Sequence, residues 1–457
     1  MLLQEVTISG LRGYAEPVTV GFAVPNGQPG SGLTVIVGPN NSGKSTLVEV
    51  FRLRRAWGAP SFNVGMRNRA TDAVHIRFKF EGHTETIDSI RAGSSEAKVD
   101  KQDTKKAPVY FVPSRRYFSP AFGRGSLSDR NTFMDNYSSS TDSRSPHLSQ
   151  FEGRLLQIER DQELFNQVMK RVVPDLLKWS IDQHETGQYF LKFQSEDKSH
   201  SSEGVGEGIV SAFVIVAALY DSAAGDVVVI DEPELSLHPQ IQRRLIALIE
   251  DYTADRQIIL ATHSPYFITK RAIDGGLTIA RCWDRDGTIQ VHTSSASDST
   301  STLKKLAGAN INNPHVFGLD AREVFFLEDG VLVFEGQEDV VLWPEVTAQL
   351  RAPSFQIYGW GAGGAENIRH VLGIFRELGF RRVAAVFDAD KERELNTVRE
   401  LFPEYYLDMI PADDIRTKRS LPAREKKLGL LDESRQIRAQ YVEACSTLVA
   451  NLASAIG

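Results

Sequence analysis

Short, unbroken apolar runs punctuate the sequence, and most of them stop at a glycine or a carboxylate. Val35-Ile36-Val37 stops at Gly38, Val227-Val228-Val229-Ile230 at Asp231, Val331-Leu332-Val333-Phe334 at Glu335, and Val383-Ala384-Ala385-Val386-Phe387 at Asp388. Val109 to Val112 has the same form, as does Ile258-Ile259-Leu260-Ala261, which leads into Thr262-His263-Ser264-Pro265. Such runs predict strands covered on both faces, as in a parallel sheet. Helical stretches follow Ser45, Pro239 and Glu338, and another spans Ile209 to Tyr220. Leu155, Ile158, Leu164, Phe165, Val168, Met169 and Val172 also recur at helical spacing, so a helical arm is expected at about residues 150–200. Strand followed by helix, repeated, is the pattern of an α/β fold. The Ser- and Asp-rich stretch Ser294 to Ser301 reads as a linker between a domain at 1–300 and a second at 321–457. Ser119 to Ser149, poor in aliphatic residues, reads as a mobile or partner-ordered loop.

Chemistry concentrates where the strands end. Gly38-Pro39-Asn40-Asn41-Ser42-Gly43-Lys44-Ser45 is Gly-x-x-x-x-Gly-Lys-Ser between a strand and a helix, followed by Thr46. Glycines let backbone N–H groups curl around phosphates, Lys44 reaches the β/γ oxygens, and the Ser45 hydroxyl suits Mg²⁺. Asp231, at the end of its strand, suits the Mg²⁺ shell, and Glu232 suits polarising the attacking water. The plain alternative for those two acids is an exposed turn after a core strand. With His263 at a third strand end, the order resembles the ABC, SMC and Rad50-like ATPases. That resemblance implies Walker B and catalytic roles for Asp231 and Glu232 and a switch role for His263.

Sites of that type are completed in trans by a Ser/Gly signature opening a helix. Its candidate here is Ser201 to Gly208, with Ser202 and Gly204 as ligands, so the resemblance implies a homodimer or higher oligomer. A glycine-rich helix entrance is the plainer reading. Pro113-Ser114-Arg115-Arg116 brings either an arginine to the nucleotide or a basic surface turn. A long Rad50-like coiled coil is not expected, because no heptad run lies between the two motifs.

The C-terminal third carries a different set. Glu335 and Asp339 follow one apolar strand, and Asp388-Ala389-Asp390 follows another. Carboxylates at the ends of parallel strands in a doubly wound sheet converge, and would hold Mg²⁺ or Mn²⁺ against a phosphodiester. The spacing is similar to the Toprim signature of topoisomerases, primases and certain nucleases. Between the two strands, Gly359 to Asn367 either brings backbone to a phosphate or simply turns into a helix.

An ABC-type ATPase ahead of a Toprim module resembles the OLD (overcoming lysogenization defect) family. Leu2 to Tyr14 looks like its opening strand and arginine turn, and Ala321 to Phe326 like its approach to Toprim. The resemblance implies ATP binding or hydrolysis coupled to metal-dependent DNA cleavage in antiphage defence, with Mg²⁺, Mn²⁺ or Ca²⁺ at the second site. Glu335 and Asp388 would then be catalytic, and Glu335, Asp339, Asp388 and Asp390 metal ligands. Lys418, with Lys426 in reserve, would steady the phosphate charge. The segment after Asp390 is short for the family, which puts cleavage in question.

Bulk properties refine this only slightly. The net charge of −7 argues against passive coating of DNA but allows a local channel. Basic clusters at Arg52 to Arg55, Lys101 to Lys106, Arg115-Arg116, Arg381-Arg382 and Lys418 to Lys427 read as solvated faces, with DNA contact as the alternative, for which the cluster beyond Asp413 is best placed. Cys282 and Cys445 lack metal or disulfide spacing, and no long apolar span appears, so a cytoplasmic, non-membrane protein is expected. The expectation is therefore an ATP-gated DNA endonuclease. Its rival is an ATPase scaffold or sensor that holds and releases a co-encoded effector through a non-cleaving Toprim-like domain.

Overall fold

The computed structural model describes residues 1–55, 59–101, 108–114, 151–187, 189–195, 198–201, 206–296, 301–302, 325–327, 329–353, 355–417 and 428–456. The chain divides into two compact units, Met1–Asp298 and Ser299–Gly457.

The first unit begins with β1 (Leu3–Ser9), β2 (Val18–Gly21), β3 (Leu33–Val37), α1 (Lys44–Arg55), β4 (His75–Phe80), β5 (His83–Ser89), β6 (Ala97–Asp100) and β7 (Val109–Val112). It continues with α2 (Phe151–Ile158), α3 (Gln162–Val172), β8 (Lys178–Gln183), β9 (Tyr189–Ser195), β10 (Lys198–Ser201), α4 (Glu207–Asp221), β11 (Val227–Asp231), α5 (Pro239–Tyr252), β12 (Gln257–Ala261), α6 (Lys270–Gly275), β13 (Thr278–Arg285) and β14 (Thr288–Ser295). A six-stranded sheet has the order β14-β13-β3-β12-β11-β7, parallel except for β14. A second sheet, β2-β1-β4-β5-β6, is antiparallel throughout.

The helix α1 lies between these two sheets. Its Leu47, Val50 and Phe51 share one core with Val6 and Ile8 of β1, Ile76 and Phe78 of β4, and Val227, Val229 and Ile259 of the large sheet. Each such side chain stabilises the sandwich by about 1.5–3 kcal/mol when fully buried. Successive strand residues point to opposite faces, so Val228, Ile230, Ile258 and Leu260 face away from that core, yet they too are buried. The helix α4, buried from Val210 to Leu219, contacts β7 and β11 as well as α3 and α5.

The segment expected as a helical arm at 150–200 is helical only to Val172 and then forms the antiparallel sheet β10-β9-β8. The pattern changes from helical spacing to alternation there: Leu191 and Phe193 are buried on either side of Lys192. Phe165 of α3, Trp179 of β8 and Phe193 of β9 all pack their rings on Phe213 of α4. The division between the units, after Asp298, falls inside the stretch Ser294 to Ser301 read as a linker, although Ser294 and Ser295 still pair with Ile279 and Thr278 as the end of β14. The polar stretch Ser119 to Ser149 lies outside the described residues.

In the arginine-rich end of α1, Arg54 is not on a solvated face. Arg54, 1% exposed, forms a forked ion pair with Glu85 at 2.6 and 2.9 Å and lies over the Phe80 ring.

The second unit comprises β15 (Val331–Phe334), α7 (Gln337–Gln349), β16 (Gln356–Ile357), α8 (Ala365–Glu377), β17 (Val383–Phe387), α9 (Glu392–Leu401), β18 (Tyr406–Met409) and α10 (Val442–Ile456). Its four strands are all parallel, in the order β16-β15-β17-β18. The chain steps from β15 to one side and then crosses to the other, so the winding reverses between β15 and β17. The carboxyl ends flanking such a reversal form the crevice where doubly wound sheets bind ligands.

Candidate functional site

The first constellation is built at the carboxyl edge of the six-stranded sheet. Leaving β3, the backbone takes positive φ at Gly38 (139°), Asn41 (62°) and Gly43 (87°). A Cβ on Gly38 would sit 2.1 Å from the Cys282 carbonyl oxygen, and one on Gly43 2.9 Å from Ile289 Cγ2. The glycines thus press the loop against β13 and β14 and leave its other side to a ligand. Asn40 and Asn41 are exposed, whereas Ser42 is buried.

Lys44 opens α1, and its ammonium donates to the carbonyls of Gly38 and Pro39 at 2.9 and 2.6 Å. Burial lowers its pKa, opposed by the field of Cys282, Glu232, Asp231 and Glu234. Arg12, in a turn with φ of 48°, donates to Thr46 Oγ1 at 3.4 Å and pairs with Glu49 at 2.5 Å. The Tyr14 hydroxyl donates to the Gly43 carbonyl at 3.2 Å.

Asp231 ends β11 in register with Ala261 of β12. Glu232 follows with φ of 48°, its N–H donating to the Ala261 carbonyl at 2.8 Å. His263 is exposed, and its pKa is lowered by partial burial and by Lys44 while Glu232 raises it. Lys44, Asp231, Glu232 and His263 therefore share one electrostatic neighbourhood. Glu234, given no role from sequence, accepts from Thr262 Oγ1 at 2.7 Å and from the His263 N–H at 2.6 Å. Its signal was the third carboxylate in Asp231-Glu232-Pro233-Glu234, but the partner strand was not visible from spacing.

Ser202 and Gly204 lie outside the described residues, as do Arg115 and Arg116. The start of α4 is described. Ser236 Oγ donates to Glu207 at 3.0 Å, and a Cβ on Gly208 would meet the Ser236 carbonyl at 2.5 Å, so this helix end is held against the loop after Asp231.

The second constellation lies in the crevice of the parallel sheet. Glu335 follows β15 and Asp388 follows β17, and the Asp388 N–H donates to Glu335 Oε1 at 3.0 Å. Asp339, in the first turn of α7, accepts from the Gly336 N–H at 3.0 Å. Asp390 pairs with Lys391 at 3.2 Å. Burial raises Glu335 to about 7, helped by Asp339 and Asp390. Burial also raises Asp388 to about 8, with repulsion from Asp339, Glu335, Asp414 and Asp390. Asp414, 4% exposed, is a further acid of this group to which sequence reasoning gave no role.

Among the described residues no group of three His, Cys, Asp or Glu side chains is arranged to hold a metal ion. The donor set nevertheless has the chemistry of a hard-cation site: all oxygen, crowded, and mutually repelling in a way that a divalent ion relieves. Lys418 and Lys426 lie outside the described residues.

The glycine-rich loop after β16 closes over this edge. Ala362 N–H donates to the Phe334 carbonyl and Gly364 N–H to the Glu335 carbonyl, both at 2.8 Å. Gly361 (φ 85°) approaches so closely that a Cβ would stand 2.7 Å from the Gly336 carbonyl carbon. Here the glycines serve backbone-to-backbone approach.

The family model described as "AAA domain, putative AbiEii toxin, Type IV TA system" matches residues 33–269, more than half of the chain and the whole span from β3 to the loop after His263. The chain belongs to that AAA-domain family. Its ATPase domain therefore holds the Lys44, Asp231 and His263 edge. The chain is also 30% identical over 201 residues to an OLD nuclease of Thermus scotoductus, which agrees with the resemblance carried by the motifs. That stretch covers 41% of this chain and 36% of the relative, so the match spans little more than a third of the curated relative's length.

Among solved structures, the SMC head domain from Thermotoga maritima is 15% identical, covering 64% of this chain and 98% of that one, with a TM-score of 0.36. The Smc head domain with an extended coiled coil bound to the C-terminal domain of ScpA, derived from Pyrococcus furiosus, is 12% identical, covering 67% and 99%, with a TM-score of 0.42. At these values the likeness is distant. Among the described residues no helix is long and apolar enough to cross a membrane.

Proposed function

We propose that this AAA-domain protein is an ATP-hydrolysing, divalent-metal-dependent DNA endonuclease of the OLD type, acting in antiphage defence. The observation that carries the second half of this reading is the 3.0 Å bond from Asp388 N–H to Glu335, which joins acids from two parallel strand ends in one crevice. In the ATPase domain Lys44 and the Gly38 to Gly43 loop would seat the phosphates. Ser45 and Asp231 would hold Mg²⁺, and Glu232 would accept the proton of the attacking water. His263 would sense the γ-phosphate. A second copy would bring Ser202 and Gly204 to the same phosphate, making the working form a homodimer.

In the crevice, Glu335, Asp339, Asp388 and Asp390 are the residues that would hold a divalent ion, which when bound supplies charge neutralisation at the phosphodiester and an activated water. The chain's own part is to keep those carboxylates crowded, with Glu335 fixed by the Asp388 backbone. Lys418 is the proposed partner for the developing phosphate charge.

The deciding experiment is nicking of supercoiled plasmid with Mg²⁺ or Mn²⁺, with and without ATP. Activity in the parent and its loss in Glu335→Ala and Asp388→Ala is the expected result. Undiminished cleavage in both variants removes the second site, and ATP turnover with no cleavage under any metal leaves the scaffold reading.

A further inference from the structure

The buried stripe of α5 runs through Leu245, Ile246 and Ile249, and the position one turn earlier on the same stripe is not apolar. It is Gln242, 9% exposed. The helix entrance sets it there: Pro239 opens the helix, and the His238 ring accepts from the Gln240 N–H at 3.3 Å. A buried amide is costly unless both of its ends are bonded. Here both are bonded, with Gln242 Nε2 donating to the Leu237 carbonyl at 2.8 Å and Gln242 Oε1 accepting from Ser264 Oγ at 2.6 Å. A carbonyl can only accept, so the amide has a single orientation.

Those two partners belong to the two loops of the ATP edge. Leu237 ends the stretch after β11, in which Leu235 N–H donates to the Glu232 carbonyl and Leu237 N–H to the Glu234 carbonyl. Holding Leu237 therefore holds the turn that displays Glu232. Ser264 follows His263 in the loop after β12 and opens the one-turn helix Pro265–Phe267, where Arg243, beside Gln242, lies 4.9 Å from the centre of the Tyr266 ring. On the other side, Thr262 and the His263 N–H are bonded to Glu234. Thr262 and Ser264 are buried, while His263 between them is exposed. A loop held by Glu234 alone can pivot about that point; held at Ser264 as well, it has one setting.

We infer that Gln242 is a positioning residue for ATP hydrolysis, which through Ser264 fixes His263 in register with the turn carrying Glu232. This rests on the reading of His263 as the γ-phosphate sensor. The amide acts at one remove, by setting the separation of His263 and Glu232, and catalysis is sensitive to displacements of about 1 Å in groups of that kind. An apolar side chain of equal size would fill the space without joining the loops.

The test is steady-state turnover of ATP with Mg²⁺ by the full chain, with thermal unfolding measured on every variant. Gln242→Met keeps the volume and removes both bonds, and Ser264→Ala removes one. Each should lower kcat about five- to tenfold, the scale of one lost hydrogen bond, with KM for ATP changed by less than about twofold. Ser264→Thr, which keeps the hydroxyl, should retain most of the parental kcat. The deciding measurement is a double-mutant cycle on kcat: in a His263→Ala background, Gln242→Met should cost no more than about twofold, because the residue it positions is gone.

Parental kcat in Gln242→Met overturns the inference, as does an equal loss with and without His263, which assigns the amide to folding alone. If Gln242→Met is unfolded at the assay temperature, Ser264→Ala takes its place in the cycle and the same two outcomes decide. A His263→Ala protein with parental kcat removes the sensor reading and the inference together, whereas a His263-dependent kcat that is indifferent to Gln242 removes the inference alone.

Discussion

Glu234 holds His263 by its backbone, accepting that residue's N–H at 2.6 Å while its other oxygen takes the Thr262 hydroxyl. The loop after β11 and the loop after β12 are therefore one mechanical piece, tied by a carboxylate whose pKa burial raises. In Glu234→Ala, Asp231 and Glu232 remain but His263 loses its anchor. ATP turnover should fall about 10- to 100-fold, mainly in kcat, as expected for hydrogen bonds to a charged group. Steady-state ATPase kinetics measure this, and a change confined to KM would show that the tether does not serve the chemical step.

Lys44→Ala removes the ammonium from the phosphate cradle while leaving its glycines. A loss of roughly 100- to 1000-fold in ATP turnover is expected, the scale of removing one preorganised donor from a developing anion. Retention of most of the turnover would place the hydrolytic centre elsewhere.

The acids of the second unit make stability depend on pH in a definite direction. Folded values of about 7 for Glu335 and about 8 for Asp388 lie above the ordinary values of about 4 in an unfolded chain. The folded form then binds more protons than the unfolded form from about pH 4 to about pH 8. The stabilisation is complete below that window and is lost as pH rises through it. Thermal unfolding in EDTA should show the parent falling relative to Glu335→Gln/Asp388→Asn as pH increases, with Mg²⁺ restoring the parent at about pH 8 and having little effect at about pH 5. A difference independent of pH would contradict the crowding.

Arg54 and Glu85, 1% and 2% exposed, form a buried pair between the end of α1 and β5. Removing Arg54 leaves the buried Glu85 carboxylate with only the His83 ring nitrogen at 3.2 Å, so Arg54→Leu should destabilise the first unit by about 3–5 kcal/mol, whereas Arg54→Leu/Glu85→Leu should cost less. Chemical denaturation of the three proteins decides it.

Gly361→Ala should lower the unfolding temperature of the second unit through a cost of about 1–3 kcal/mol, because both its φ and its contact with Gly336 exclude a side chain. Gly359→Ala, where a Cβ meets nothing within 4 Å, should cost less.

The strand ends were legible in the sequence because each run is apolar at every position and stops at a residue with chemistry, as at Val37-Gly38 and Phe387-Asp388. Helix-period residues likewise placed α3 correctly. What failed was cross-chain information. The sheet at 178–201 was absorbed into the helical arm because alternation over Leu191 to Phe193 is brief. Arg54 was placed among solvated charges because Glu85, its partner, is on β5, thirty-one positions further along the chain. Glu234, Tyr14 and Asp414 acquire their neighbours only on folding: each meets groups far away along the chain, and no local pattern announces such a meeting.

A wedge gripped along both flanks cannot slide without dragging what grips it. Because α1 has a layer of strands on either side, any tug on its first turn from a triphosphate is shared with β1 and β4 as well as with β11 and β12. The outer antiparallel layer and the parallel sheet are thereby joined through a single helix, and that helix begins at Lys44 of the cradle.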